Sequence, residues 1–193
     1  MGMNTTATPT AERGAIAGIV LAGGLSSRMG RDKALLPWQG QPLLAHMHAL
    51  LKAAGADPIR VSGDYPAYAG VPDSLPRCGP LGGLYSTIAT LGDGPAWVVP
   101  VDMPLLDAAL LQQLRDAPPG PCVRFHDLPL PMRLNIDGQC RSLLAAMLHD
   151  PAGPRALRAL QRRLGVMELP LDSALVARLR NCNTPAEWEE VVS

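Results

Sequence analysis

Aromatic residues are scarce in this chain: three Trp, three Tyr and one Phe make up 4% of 193 residues. Leu, Ala and Val must therefore fill most of any core. Cysteine is equally thin. Cys78, Cys122, Cys140 and Cys182 are widely spaced, with no Cys-x-x-Cys pair. That spacing excludes a disulfide framework or a zinc site and reads as reduced thiols in a cytoplasmic protein. His46, His48, His126 and His149 form no metal-ligand spacing either. Seventeen Lys and Arg balance seventeen Asp and Glu, a formal net charge of zero. No general nucleic-acid or membrane surface is expected from that balance. The longest apolar runs fall far short of a membrane span. Residues 1–14 lack a basic-then-apolar leader pattern and are expected to form a flexible tail, with residues 15–193 as a single domain.

What is present centres on residues 16–36. Ile16 to Leu21 is a short apolar run rich in β-branched residues, and it reads as a buried strand closed by Gly23 and Gly24. Gly23, Gly24 and Gly30 bracket a polar loop that carries Ser26, Ser27, Arg28, Arg31 and Lys33. Glycines let backbone N–H groups approach an anion without a Cβ in the way, and successive N–H groups in such a turn make an anion-binding concavity. With three cations added, the stretch predicts a phosphate-binding loop after a first strand. It is not a Walker A loop, because Lys33 stands three residues after Gly30 and Ala34 follows it. Nor does it supply the Gly-x-Gly-x-x-Gly dinucleotide fingerprint.

Further along, helices are expected over 41–55, from the Gly79-Pro-Leu-Gly-Gly83 turn through Leu91, from Asp107 to Arg115, and over 140–149 and 154–164. Strands are expected at 58–62, 96–100, 122–125 and 131–136, and a loop over 63–77. Thr184-Pro-Ala-Glu187 is a capping box with Pro at the first helical position, opening a final helix. Alternating strands and helices predict an α/β fold. It is a doubly wound, mostly parallel sheet with helices on both faces and an antiparallel addition from 121 to 136. Ligands of such sheets sit at the carboxyl ends of strands. The 23–33 loop and Asp102 both follow strands, so they are expected at one edge.

The chemistry follows from residue type. Lys33 and Arg28 are the candidates for neutralising nucleotide phosphates, since phosphoryl and nucleotidyl transfer rest on positioning and charge neutralisation. Asp102 ends an apolar strand, where aspartate has no packing role. It is the candidate metal ligand, because Mg2+ takes one or two carboxylates and completes its shell with phosphates and water. The plain alternative is an aspartate shaping the turn before Pro104. Asp73 precedes the 79–83 turn and reads as a turn residue or a base contact. Asn181 and Asn183 read as turn formers or site residues. Arg155, Arg158 and Arg162 recur at helical spacing, giving either a solvated face or a docking face for an anion or a partner.

Leu21-Ala-Gly-Gly-x-Ser-Ser-Arg-Met-Gly-x-Asp-Lys33 resembles the signature loop of the MobA family of molybdenum cofactor guanylyltransferases, within the Rossmann-like nucleotidyltransferases. The resemblance implies transfer of GMP from GTP to molybdopterin with Mg2+ as cofactor, and delivery of the product to cofactor-insertion proteins or apo-molybdoenzymes. It implies nucleotide contacts by Leu21, Ala22, Gly23, Gly24 and Lys33. Asp73, Gly79, Pro80, Leu81 and Gly83 would also lie at the nucleotide, and Asp102 at both nucleotide and Mg2+. Asp64, implied at the nucleotide as well, stands where many relatives carry asparagine. Asn181 and Asn183 match an Asn-x-Asn-Thr-Pro pattern on the pterin side. Leu130-Pro-Met-Arg-Leu134 departs from the family's His-Pro-containing segment. The competing readings are a sister nucleotidyltransferase that uses CTP or another phosphate acceptor, and a non-catalytic nucleotide-binding module for cofactor delivery.

Overall fold

In a computed structural model, which describes residues 14–23, 32–75 and 77–192, the first described elements are strand β1 (Ile16–Leu21) and a 3-10 turn at Lys33–Leu35. A two-residue hairpin of β2 (Pro37–Trp38) and β3 (Gln41–Pro42) leads into helix α1 (Leu43–Ala53). Next come β4 (Ala56–Ser62), a 3-10 turn at Pro66–Tyr68, β5 (Gly70–Val71), α2 (Gly79–Ile88), β6 (Gly94–Pro100) and α3 (Ala108–Asp116). The chain closes with β7 (Cys122–Phe125), β8 (Met132–Ile136), α4 (Gly138–His149), α5 (Leu157–Leu164), β9 (Val166–Leu169), a 3-10 stretch at Ser173–Leu179 and α6 (Pro185–Val192).

Seven strands form one sheet in the order β5-β4-β1-β6-β8-β7-β9. The β1–β4, β1–β6, β4–β5 and β7–β9 pairs are parallel, and β8 alone runs against its neighbours β6 and β7. The antiparallel element is thus a single strand inserted into the sheet. The loop from 126 to 131 folds β8 back along β7, and β9 then extends the far side in the main direction.

Side chains alternate across a strand, and here each face is apolar. Ile16, Val20, Trp97 and Val99 point to one side, against Leu44, Met47 and Leu51 of α1 and Leu110, Leu111 and Leu114 of α3. Ile19, Leu21, Ala96 and Val98 point to the other, against Leu81, Leu84 and Ile88 of α2 and Leu144, Met147 and Leu160 of α4 and α5. Burial on both faces is what a parallel sheet requires, and it explains the continuous apolar runs. Gly18 lets α1 and β4 come close: a Cβ there would stand 3.0 Å from Ala56 Cβ and 3.1 Å from Leu51 Cδ1.

Four expectations need correction. The fifth helix begins at Leu157, not Pro154, so Arg155 stands ahead of it. The 79–91 helix ends at Ile88. Strands β2, β3, β5 and β9 were not foreseen: β3 takes Gln41 and Pro42 out of the expected 41–55 helix, β5 is only two residues long and has Pro72 after it, and β9 follows α5 after a single glycine.

Candidate active site

At the carboxyl edge of the sheet, β1 and β4 end side by side, with Leu21 in register with Ser62. The buried Ser62 hydroxyl accepts the N–H groups of both Ala22 and Gly23, each at 3.1 Å. One side chain therefore fixes the backbone of the two residues that follow the strand. Gly24 and Arg28 lie outside the described residues.

The first turn of α2, Gly79–Gly83, packs against the same serine. A Cβ on Gly83 would fall 2.9 Å from Ser62 Cβ and 3.0 Å from its Oγ, so only glycine fits. The Asp73 carboxylate lies across this turn, with Oδ1 3.5 Å from the same Gly83 Cβ position. Its segment is pinned by Ser74, whose N–H donates to Ser86 Oγ at 2.9 Å, and Ser86 donates in turn to Gly82 O at 3.1 Å. Burial pushes the Asp73 carboxyl above its ordinary value. Leu81 is fully buried in the core, whereas Gly79 and Pro80 are exposed at the helix start. Asp64 is exposed in the turn after β4, and among the described residues its carboxylate makes no hydrogen bond to the other candidates.

Lys33 lies at the same edge. Asp32 caps its 3-10 turn, accepting the Ala34 N–H at 3.0 Å. The Tyr65 hydroxyl donates to the Asp32 carboxylate at 2.8 and 3.0 Å. Burial, together with that carboxylate, drives the Tyr65 pKa well up. The Lys33 ammonium then reaches Asn183 Oδ1 at 2.6 Å and Asp102 Oδ2 at 3.4 Å. Lysine and aspartate side chains are 17% and 20% exposed, a pair at the mouth of the site and neither solvated nor sealed.

Asp102 follows β6 in a turn held at both ends. The Val101 N–H donates to Leu21 O at 3.1 Å, and the Asp102 carbonyl accepts the Cys182 N–H at 2.8 Å. His46 Nε2 hydrogen-bonds to Pro104 O at 3.0 Å, which steadies the same turn from α1. Burial raises the Asp102 pKa, Lys33 opposes that rise, and Glu187 adds a smaller push upward. A carboxylate that is costly to keep charged, with one ammonium beside it, is suited to a cation. Among the described residues no group of three or more His, Cys, Asp or Glu could enclose a metal. Asp102 therefore fits a hard cation that draws its other ligands from phosphate and water, and not an all-protein cage.

The capping box is formed: Glu187 N–H donates to Thr184 Oγ1 at 3.2 Å, and Glu187 Oε2 accepts the N–H groups of Thr184 at 2.9 Å and Asn183 at 2.7 Å. Asn183 is half-buried against Lys33, whereas Asn181 is exposed. Segments 21–23, 62, 73, 79–83, 33, 102 and 183 thus meet along one edge. Sequence reasoning missed Ser62, Tyr65 and Asp32. Ser62 had one signal, a lone hydroxyl at the end of an apolar strand.

The three arginines do not form one basic face. Arg155 turns inward, donating to Cys78 Sγ and Leu148 O, and Arg158 donates to Asp127 O. A cavity of about 950 Å3 opens at the opposite edge, lined among others by Ile16, Pro95, Arg115 and Arg133. The Arg133 guanidinium there is committed to the carbonyls of Arg115, Ala117 and Pro118. No helix among the described residues is long and apolar enough to cross a membrane.

Residues 18–166 match the model of the MobA-like NTP transferase domain. A protein of Xanthomonas euvesicatoria pv. vesicatoria (strain 85-10), described as a molybdenum cofactor guanylyltransferase, is 50% identical over 176 residues, 91% of this chain and 93% of its own. The crystal structure of molybdopterin-guanine dinucleotide biosynthesis protein A from Archaeoglobus fulgidus superposes with a TM-score of 0.72 at 18% identity, covering 92% of this chain and 97% of that one. A Mycobacterium tuberculosis H37Rv protein crystallised with manganese superposes with a TM-score of 0.63 at 20% identity, covering 92% and 97%. The two structures share the fold.

Proposed function

We propose, from the premise that this chain belongs to the MobA-like NTP transferase domain family, that it transfers GMP from GTP to molybdenum-carrying molybdopterin, giving the guanine dinucleotide and pyrophosphate. The observation that carries the reading is Lys33. It arrives from the glycine loop and meets, through its ammonium, a carboxylate after β6 and an amide ahead of α6. The name of the 50% identical relative supports the choice of substrates.

The acceptor phosphate is already an anionic nucleophile, so no general base is needed. Its oxygen attacks the α-phosphorus of GTP, the bond from that phosphorus to the bridging oxygen breaks, and pyrophosphate leaves with the electron pair. Two polyanions must be brought together, so the protein's task is to hold them and cancel charge. The N–H groups of Ala22 and Gly23 already donate to Ser62 Oγ, so Lys33 would take the leaving β- and γ-phosphates with help from Arg28 and the N–H of Gly24. Asp102 would hold Mg2+, which supplies Lewis-acid polarisation of the α-phosphate when bound. Leu21 and the 79–83 turn would line the nucleoside. The Asp73 carboxylate would accept from guanine N1–H and N2–H2. Asn181 and Asn183 would face the pterin side. The protein would work in the cytoplasm and pass its product to apo-molybdoenzymes or their insertion proteins.

The test is incubation of purified protein with GTP, Mg2+ and molybdopterin, with CTP in parallel, and detection of product by mass. Guanine dinucleotide and pyrophosphate are expected. Cytosine dinucleotide alone would move the chain to the CTP-using reading, and nucleotide binding without pyrophosphate would make it a delivery module.

A further inference from the structure

A helix start needs only one bond from the capping-box glutamate, to the N–H of the cap residue itself. Glu187 makes that bond to Thr184 at 2.9 Å, and the same oxygen makes a second, shorter one to Asn183 at 2.7 Å. The second bond lies outside the helix and fixes the backbone of the residue whose side chain receives Lys33 at 2.6 Å. The next residue, Trp188, packs edge-on against Trp38 with ring centroids 5.7 Å apart, and Trp38 lies just beyond the Lys33–Leu35 turn. The Cys182 N–H holds the Asp102 carbonyl at 2.8 Å. The segment 182–188 thus grips both members of the Lys33–Asp102 pair and the chain that follows the lysine.

From this geometry we infer that Glu187 is a positioning residue for Lys33, acting through Asn183. Lysine has a flexible four-carbon stem and a point charge, so a fixed acceptor is what gives its ammonium one place. Asp102 alone cannot do this at 3.4 Å. Without the Glu187 bond, Asn183 loses its fixed backbone, and the Lys33 ammonium keeps only the longer 3.4 Å contact to Asp102 to hold it in place. The inference rests on the role proposed for Lys33 above.

The test is a double-mutant cycle read as pyrophosphate release from GTP in the presence of molybdopterin and Mg2+. Glu187→Ala should lower kcat/KM by about tenfold, less than the roughly hundredfold that a 1 Å misplacement of a catalytic group can cost, because Asp102 still holds Lys33 loosely. Glu187→Gln should restore most of it, because the amide oxygen accepts the same two N–H groups. In a Lys33→Ala background, Glu187→Ala should change the residual rate by less than about twofold, since the group it positions is gone. Thr184→Ala is the control for helix stability. It removes the other half of the box, so it should lower Tm as Glu187→Ala does while leaving kcat/KM near wild type. Equal losses from Glu187→Ala in both backgrounds, or a Thr184→Ala loss as large as that of Glu187→Ala, would overturn the inference and leave the function standing. A Lys33→Ala enzyme as active as wild type would remove Lys33 from the site and overturn the inference with it, and only a failure of the wild-type protein to form guanine dinucleotide from GTP would overturn the function.

Discussion

The Lys33–Asp102 and Arg124–Glu168 pairs each join residues distant in sequence toward the carboxyl ends of strands, but they are embedded differently. Arg124 is only 6% exposed, and beyond its bond to Glu168 it donates to Leu128 O at 3.0 Å. The other oxygen of Glu168 takes His126 Nδ1 at 2.6 Å. That pair ties β7, β9 and the 126–131 loop together, as Arg133 ties the 115–118 segment through three carbonyls. The Lys33 ammonium touches no backbone carbonyl among the described residues; its two named partners are side chains at the mouth of the edge. A guanidinium committed to carbonyls holds loops in place. An ammonium held only by side chains can be redirected to a phosphate without unpicking the chain. On the proposed reading the β5-β4-β1-β6 half of the sheet holds the ligand, while Arg124 and Arg133 tie loops to the β8-β7-β9 half.

The largest effect that would sharpen this contrast is Lys33→Ala. Loss of one charge-neutralising donor should lower kcat/KM by roughly 100- to 1,000-fold. Tm should stay within about 2 °C, because no backbone group depends on this side chain. Wild-type steady-state kinetics would remove Lys33 from the site. Arg133→Met should do the reverse. Leaving three carbonyls without their charged donor should cost about 2–4 kcal/mol in urea unfolding, with kcat and KM for GTP unchanged. A large kinetic loss at wild-type stability would break the division between the two halves.

A smaller effect concerns base choice. Adenine presents a bare N1 acceptor where guanine presents N1–H, so a carboxylate facing it is left unpaired, at about 1–3 kcal/mol. That is roughly tenfold to over a hundredfold against ATP. Asp73→Ala should narrow the GTP-to-ATP ratio of kcat/KM mainly by harming GTP. Equal losses with both nucleotides would make Asp73 a ribose, phosphate or structural residue.

The elements around the site were legible because each carries a local signal. The apolar run Ile16–Leu21, the glycines of 79–83, the Asp107 cap and the Thr184–Glu187 box each announce a boundary through short-range chemistry. What stayed hidden is long-range. That Ser62 would accept from residues 40 and 39 positions earlier, or Asn183 from a lysine 150 positions away, depends on which strands become neighbours. Periodicity within a strand says nothing about that order. Strand β9 was hidden for a related reason: its four residues, Val-Met-Glu-Leu, become a strand only because β7 offers a parallel edge. The basic face expected at Arg155, Arg158 and Arg162 failed because Arg155 lies before the helix and turns onto Cys78.

The central claim is that charge at the β6 end, and not shape alone, drives turnover. Asp102→Asn tests it most directly, since the amide keeps the outline and the hydrogen-bonding turn but loses the charge that would hold a hard cation. Burial already holds the Asp102 pKa above its ordinary value, so the charged form weighs against folding at neutral pH, and that cost disappears once pH falls below the usual carboxylate range. Asp102→Asn should therefore lose most of its Mg2+-dependent turnover across a full Mg2+ titration, while its Tm at pH 7 holds or rises. A variant with the wild-type rate and the wild-type Mg2+ optimum would contradict it.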